Sequence, residues 1–169
     1  FDPPKVIGTI ESKEINESSG IAVSKCQADV LWTHNDSNGG DFFFAVNSKG
    51  EKLGTWKIAG VKTADLEDIA AFRNKEGECF IYLGDIGNNS RKHGELTVFK
   101  VKEPVISEVA DDSSKKDPLD SGPVETLKFS YPDMRHDAET LMVHPLSGDI
   151  YVLTKRLSGA SGVYRIKPD

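Results

Sequence analysis

Carboxylates recur in this chain at spacings that could hold a hard cation. Glu17 stands ahead of Ser-Ser-Gly-Ile21, Asp65 and Glu67 lie in Asp-Leu-Glu-Asp-Ile69, and Asp137 and Glu139 lie in Asp-Ala-Glu-Thr-Leu141. Asp36 and Asp85 follow further on, the latter with Asn88 and Asn89 close behind. Gathered in one place, these acids would repel one another unless a cation compensated them or some stayed protonated. Carboxylate and amide oxygens without cysteine suit calcium better than zinc. The expected metal set is therefore Glu17, Asp36, Asp65, Glu67, Asp85, Asn88, Asp137 and Glu139. The alternative is structural: the same acids could accept backbone N–H groups in the turns between strands. Glu67 and Glu139 share one position in two copies of the motif, which suits that role too.

His34 and His136 could act as general base or acid beside such an ion, or serve only as hydrogen-bonding loop residues. Arg135 and Lys155, with Arg91 and Arg156 at similar positions, could receive an anionic substrate. Their other reading is a solvated charge or a partner for the acids. Asp36-Ser-Asn-Gly-Gly-Asp41 has the alternating oxygens of a calcium loop but neither a distal Glu nor flanking helices, and reads as a Gly-rich turn. No nucleophile elbow, Cys-His pairing, Walker loop or zinc spacing occurs, which argues against serine or cysteine catalysis.

The elements that must position these residues come as a threefold repeat. Each copy has an acidic cluster, a short apolar strand, an aromatic-bearing strand and a third strand. Ile21, Ile69 and Leu141 are equivalent, as are Trp32, Tyr82 and Tyr151. A repeat of this size made only of strands predicts an all-β fold of propeller blades. Blade one spans about 17–58, with strands near 19–24, 29–35, 41–47 and 52–58. Blade two spans about 65–131, with strands near 67–73, 79–84, 95–101 and 124–131. Blade three spans about 137–169, with strands near 138–144, 149–155 and 162–167 and no fourth strand.

Residues 106–122 are rich in Asp, Ser, Lys and Pro and read as a surface excursion with too little apolar content to pack. Val6–Ile10 reads as a spare strand. Three blades cannot close a ring, because propellers need about 4–8. The remaining half is therefore expected from a second chain, a nicked fragment or a symmetry mate, most simply to make six blades. In such a blade the start of strand one and the end of strand two share one face near the axis, which is where the acids fall.

The 169 residues suffice for one core, and 37% apolar with 28% charged residues is a soluble composition. A net charge of −6 argues against nucleic acid as partner, and no apolar run approaches the roughly 20 residues that span a bilayer. The chain opens on Phe1 with no signal-like segment, which reads as a removed targeting peptide or as a fragment. Cys26 and Cys79 either pair across neighbouring blades or stay as two thiols.

Glu-Ser-Ser-Gly-Ile21, Asp-Leu-Glu-Asp-Ile-Ala70, Asp-Ala-Glu-Thr-Leu141, Trp32-Thr-His-Asn-Asp-Ser37 and Tyr82-Leu-Gly-Asp-Ile-Gly-Asn-Asn89 together carry a resemblance. The chain resembles secreted or periplasmic β-propeller proteins of the esterase-like phytase and SdiA-regulated group. It is more distantly similar to calcium-dependent lactonase and phosphotriesterase propellers. The resemblance covers nearly the whole chain outside 106–122 and about half of such a protein. It implies a calcium ion at the channel mouth, with Glu17, Glu67, Asp85, Asn88 and Glu139 as the matching kinds of residue.

Two functions follow as expectations. One is a secreted calcium-dependent hydrolase of phosphoesters, esters or lactones, with His34 or His136 moving the proton and Arg135 or Lys155 orienting an anionic group. The other is a non-catalytic propeller that binds a ligand or protein on its top face, any calcium being structural.

Overall fold

The computed structural model describes residues 3–36, 39–106, 112–156 and 159–166. Over these residues the chain is all-β, without helix, and its strands form three sheets.

The first sheet takes β1 (Ser18–Val23), β2 (Leu31–Asn35), β3 (Phe42–Val46) and β4 (Lys52–Lys57) as an antiparallel meander. The second holds β5 (Leu66–Arg73), β6 (Cys79–Asp85), β7 (Leu96–Lys102) and β9 (Val124–Phe129). The third holds β10 (Asp137–Val143), β11 (Ile150–Lys155) and β12 (Val163–Ile166). β-Branched and aromatic residues fill these strands because their side chains pack on a pleated surface. Asn-led turns join several of them. Gly50 and Gly77 sit at φ 89° and 86° and donate their N–H to Asn47 and Asn74 carbonyls, a conformation that glycine adopts without Cβ strain.

β5 lies against both β1 and β10, so the second sheet is sandwiched between the other two. The first seam is aromatic: Trp32, Phe43 and Trp56 cluster and pack on Ile69, Ile81, Leu83 and Phe99. The second seam joins Tyr82, Ile86 and Val98 to Ala138, Leu141, Ile150 and Val152. Each large side chain buried this way is worth roughly 1.5–3 kcal/mol, and these two seams hold most of the core. Gly20 permits the first seam: a Cβ there would stand 2.8 Å from the Ile69 nitrogen and 2.9 Å from His34 Nε2.

Three expectations change. The first sheet has a fifth strand, because β8 (Leu119–Asp120) pairs in parallel with β4. The described part of 106–122 is therefore docked rather than a free excursion. The buried Ser113 hydroxyl accepts Thr55 N–H at 2.9 Å, and Ser121 Oγ accepts Ala59 N–H at 3.0 Å. Polar side chains anchor this segment by hydrogen bonds, a route that apolar content does not reveal. Residues 107–111 lie outside the described residues. Val6–Ile10 is not a strand either. Thr9 donates to the Lys49 carbonyl, Ile10 and Ile15 cover Phe44 and Val46, and Val6 and Ile7 stay exposed.

Cys26 and Cys79 are bonded, closing a separation of 53 residues and tying the first sheet to the second at the end opposite the acids. Next to them, buried Glu103 accepts from the Ser24 hydroxyl and from Gln27 Nε2, and Gln27 also reaches the Pro104 carbonyl and Ile106 N–H.

Candidate functional site

The first strand of each sheet carries a one-residue irregularity near its start. Pairing skips between Ser18 and Gly20, between Leu66 and Asp68, and between Ala138 and Thr140. The extra residues are Ser19, Glu67 and Glu139. A bulge of this kind re-aims a side chain out of the ladder, and here it gathers carboxylates.

Oxygens of Asp36, Asp65 and Glu67 lie within 4.8 Å of one another, and so do those of Glu67, Asp137 and Glu139. Glu67 joins the two groups. It is 4% exposed and has no donor among the described residues. Burial, with Glu139, Asp65, Asp36 and Asp137 around it, pushes its carboxyl up to about 8. Burial and the neighbouring acids, Asp36 foremost, also push Asp65 up. Gly87 leaves room for this arrangement, since a Cβ there would run into the carboxylates of Asp65 and Glu67. One cation stands at the rim: Lys155 Nζ lies 2.7 Å from Glu139 Oε1, and that contact raises the lysine.

Other members of the expected set have different work. Asp85 accepts from Asp65 N–H at 2.6 Å and from Ala64 N–H, while burial still pushes its carboxyl up. Asn35 does the same job in the first sheet, accepting Glu17 N–H at 3.2 Å. Asp85 is thus a strand-end cap. Asn88 spends its side chain on the His93 backbone and the His136 carbonyl, and its own N–H goes to Asp137 Oδ1 at 2.7 Å. Glu17 is exposed and outside both carboxylate groups. Of Asp36-Ser-Asn-Gly-Gly-Asp41, Ser37 and Asn38 lie outside the described residues; Asp41 accepts from Thr63 N–H and its hydroxyl.

The histidines do not face the acids as expected. His34 is fully buried in the first seam, its Nδ1 donating to the Asn35 carbonyl at 2.8 Å, and burial pushes its pKa down. The His136 ring turns to Asp133 and the Tyr164 hydroxyl, each at 3.0 Å, and packs edge-on against Tyr131. The His136 hydrogen bond holds Asp133 down at about 2. Arg135 reaches the Lys92 carbonyl at 2.9 Å, bracing the loop beyond Asn88.

Asp68 was missed as a positioning residue. It accepts Ile69 N–H at 2.8 Å and Leu141 N–H at 2.7 Å, strapping β5 to β10 directly under the cluster, and burial pushes its carboxyl up despite these bonds. Its signal was a third acid in Asp65-Leu-Glu-Asp68. Strand alternation alone would send Asp68 and Asp65 to opposite faces, and only the bulge at Glu67 breaks that alternation.

The arrangement can bind an oxygen-loving cation. Calcium–oxygen distances of about 2.3–2.6 Å put opposite ligands roughly 4.6–5.2 Å apart, and the oxygens of each group lie within 4.8 Å of one another, close enough to share one ion. Chain comparisons add no family: no family model matches this sequence and no curated protein matches it.

Proposed function

We propose that this chain forms blades of a β-propeller whose carboxylate end binds calcium and, around it, a ligand. The observation that carries the reading is the pair of interlocked carboxylate groups sharing Glu67, because carboxylates drawn this close around a buried, donor-free Glu67 repel one another until a cation compensates them. Asp36, Asp65, Glu67, Asp137 and Glu139 are the ligands. Three sheets with β1, β5 and β10 side by side, each bulged at the same place, support the blade reading. So does the resemblance to secreted and periplasmic propellers, and the Cys26–Cys79 bond fits an oxidising compartment.

A binding role fits better than the hydrolase because the expected proton carriers are either sealed from the site or held by other groups. His34 is sealed in a seam, His136 is held by Asp133 and Tyr164, and Arg135 is spent on a backbone carbonyl. One observation favours the hydrolase: burial and the neighbouring acids push the metal-free Glu67 carboxyl up to about 8, so with the ion held by the other four acids alone it could keep a proton for a phosphoester, ester or lactone. Bound calcium would supply polarisation of the substrate oxygen.

Calorimetric titration with calcium tests the site. A bound ion stabilises the folded chain by roughly 2.7 kcal/mol at a hundredfold excess over Kd. Chelator should lower the melting temperature and calcium restore it, while Glu67→Gln and Glu139→Gln blunt the response. A melt indifferent to both reagents would reduce the acids to turn-capping groups. Calcium-dependent turnover of a chromogenic phosphoester, ester or lactone, lost in Glu67→Gln, would select the hydrolase.

A further inference from the structure

We propose that Lys155 is a tethered counter-ion of the carboxylate site, an ammonium that a divalent cation displaces and a monovalent one does not, so that this residue selects the ions the site takes. The inference rests on the cation-site reading and adds what discriminates among the cations.

The repeat puts Lys155 in a ligand's place. Asn35, Asp85 and Thr154 correspond, because they pair with Ser18, Leu66 and Ala138, the residues just before each first-strand bulge. The next residue along is Asp36 in the first sheet, Ile86 in the second and Lys155 in the third. From that place Asp36 brings a carboxylate to Asp65 and Glu67. Lys155 brings an ammonium to the other group instead. It is the cross-strand partner of Asp137, and such partners point to one face.

Its Nζ lies 2.7 Å from Glu139 Oε1, and Asp137 and Glu67 act on its charge as well. The ammonium therefore answers to all three carboxylates of the Glu67–Asp137–Glu139 group. It is not locked there. The Lys155 and Glu139 side chains are 50% and 36% exposed, and an ion pair this open to water holds by little. Among the described residues Lys155 Nζ has no acceptor besides Glu139.

A monovalent ion entering this group would exchange one unit charge for another. It would compete against an ammonium kept at high effective concentration by its own backbone, and would gain nothing for its lost hydration. A divalent ion brings twice the charge. It also takes carboxylate oxygens directly, at about 2.3–2.6 Å for calcium, including those of the buried Glu67 that the lysine does not touch. Once seated it repels Nζ, and the half-exposed side chain swings into water.

Lys155→Met removes the charge and keeps the apolar stem. Calorimetry should show it binding calcium roughly tenfold more tightly, the scale of a unit charge against a double one across several ångströms of water. Lys155→Arg, which keeps the charge, should bind calcium as the unaltered chain does. Melts in chelator should compare sodium chloride with equal tetramethylammonium chloride, whose cation is too large for direct carboxylate ligation. The two salts should act alike on the unaltered chain and on Lys155→Arg, whereas sodium should raise the melting temperature of Lys155→Met above the other salt. A third measurement needs no variant: calcium should speed acylation of Lys155 by an amine-directed reagent, mapped by mass spectrometry, and leave Lys100, paired with Glu125, unchanged.

Calcium affinity that falls or stays the same in Lys155→Met would overturn the proposal. So would a sodium preference already present in the unaltered chain, or acylation of Lys155 indifferent to bound calcium. Calcium bound by neither chain would remove the cation site and the role of Lys155 together. Calcium bound equally by both would remove the role alone and leave the site standing.

Discussion

The two ends of the sheets handle buried charge in opposite ways. At the disulfide end, Glu103 has donors on one side: the Ser24 hydroxyl and Gln27 Nε2 both reach its Oε1, while its buried Oε2 has no partner among the described residues, and the covalent bond fixes the loops that carry the donors. At the bulged end, Glu67 has the carboxylates of Asp36, Asp65, Asp137 and Glu139 around it and no hydrogen-bond donor among the described residues. A buried carboxylate with donors is scaffolding, whereas one faced by its own kind lacks a counter-charge. The contrast holds even within a few residues, since Asp85 and Asp68 accept backbone N–H groups beside the donor-free Glu67. Acidity alone therefore does not mark a binding site. The supply of donors separates the roles.

The largest effect should come from opening the disulfide end. Its loop of 53 residues falls between the about 3 and 4.7 kcal/mol expected for 15 and 100 residues, so Cys26→Ser with Cys79→Ser should cost about 4 kcal/mol in denaturant unfolding. Calcium affinity, read by calorimetry, should stay unchanged if the two ends are independent. A large loss of affinity would break the comparison.

Next comes the pH dependence of the metal-free chain. Glu67 is raised from 4.5 to about 8 in the folded state, so the folded chain binds the extra proton and stability is greatest below pH 4.5. That contribution is lost as the pH rises through about 8. Melts in chelator from pH 5 to 9 should show the decline, and Glu67→Gln should flatten it. Calcium competes with the same proton, so its affinity should rise over this range.

A smaller effect tests the capping assignment. Asp85→Ala leaves Asp65 and Ala64 N–H groups without their acceptor and should cost about 1–3 kcal/mol, while Asp85→Asn, which mimics Asn35, should cost less. Neither should abolish calcium binding. Smallest of all, Ser19→Glu places a third carboxylate at the bulge position on an exposed site. It should change the stability of the single chain by no more than about 0.5 kcal/mol.

Much of the all-β frame was legible beforehand. Alternating β-branched and aromatic runs between Asn- and Gly-led turns set the strands within a residue or two, and Ile21, Ile69 and Leu141 do fall at matching places in three sheets. The 106–122 segment was misread because Ser113 and Ser121 dock through hydroxyls, and hydrophobicity carries no trace of that. The acids were legible as a group, and the five that converge lay within the expected set.

What the sequence by itself determined was therefore periodic: strand spacing, turn chemistry and the recurrence of Asp and Glu before each first strand, all fixed by local sterics and solvation. What only the tertiary structure decided was direction. One-residue bulges at Glu67 and Glu139 send those side chains into a common space, Gly87 leaves that space open, and backbone donors at Asp85 and Asp68 remove these from it. The histidine rings turn away for a similar reason, because Asn35, Asp133 and Tyr164 offer them partners that no spacing in the sequence encodes. Side-chain direction depends on which backbone groups remain unpaired after the sheets assemble, and that is a property of the assembled sheets rather than of any one segment.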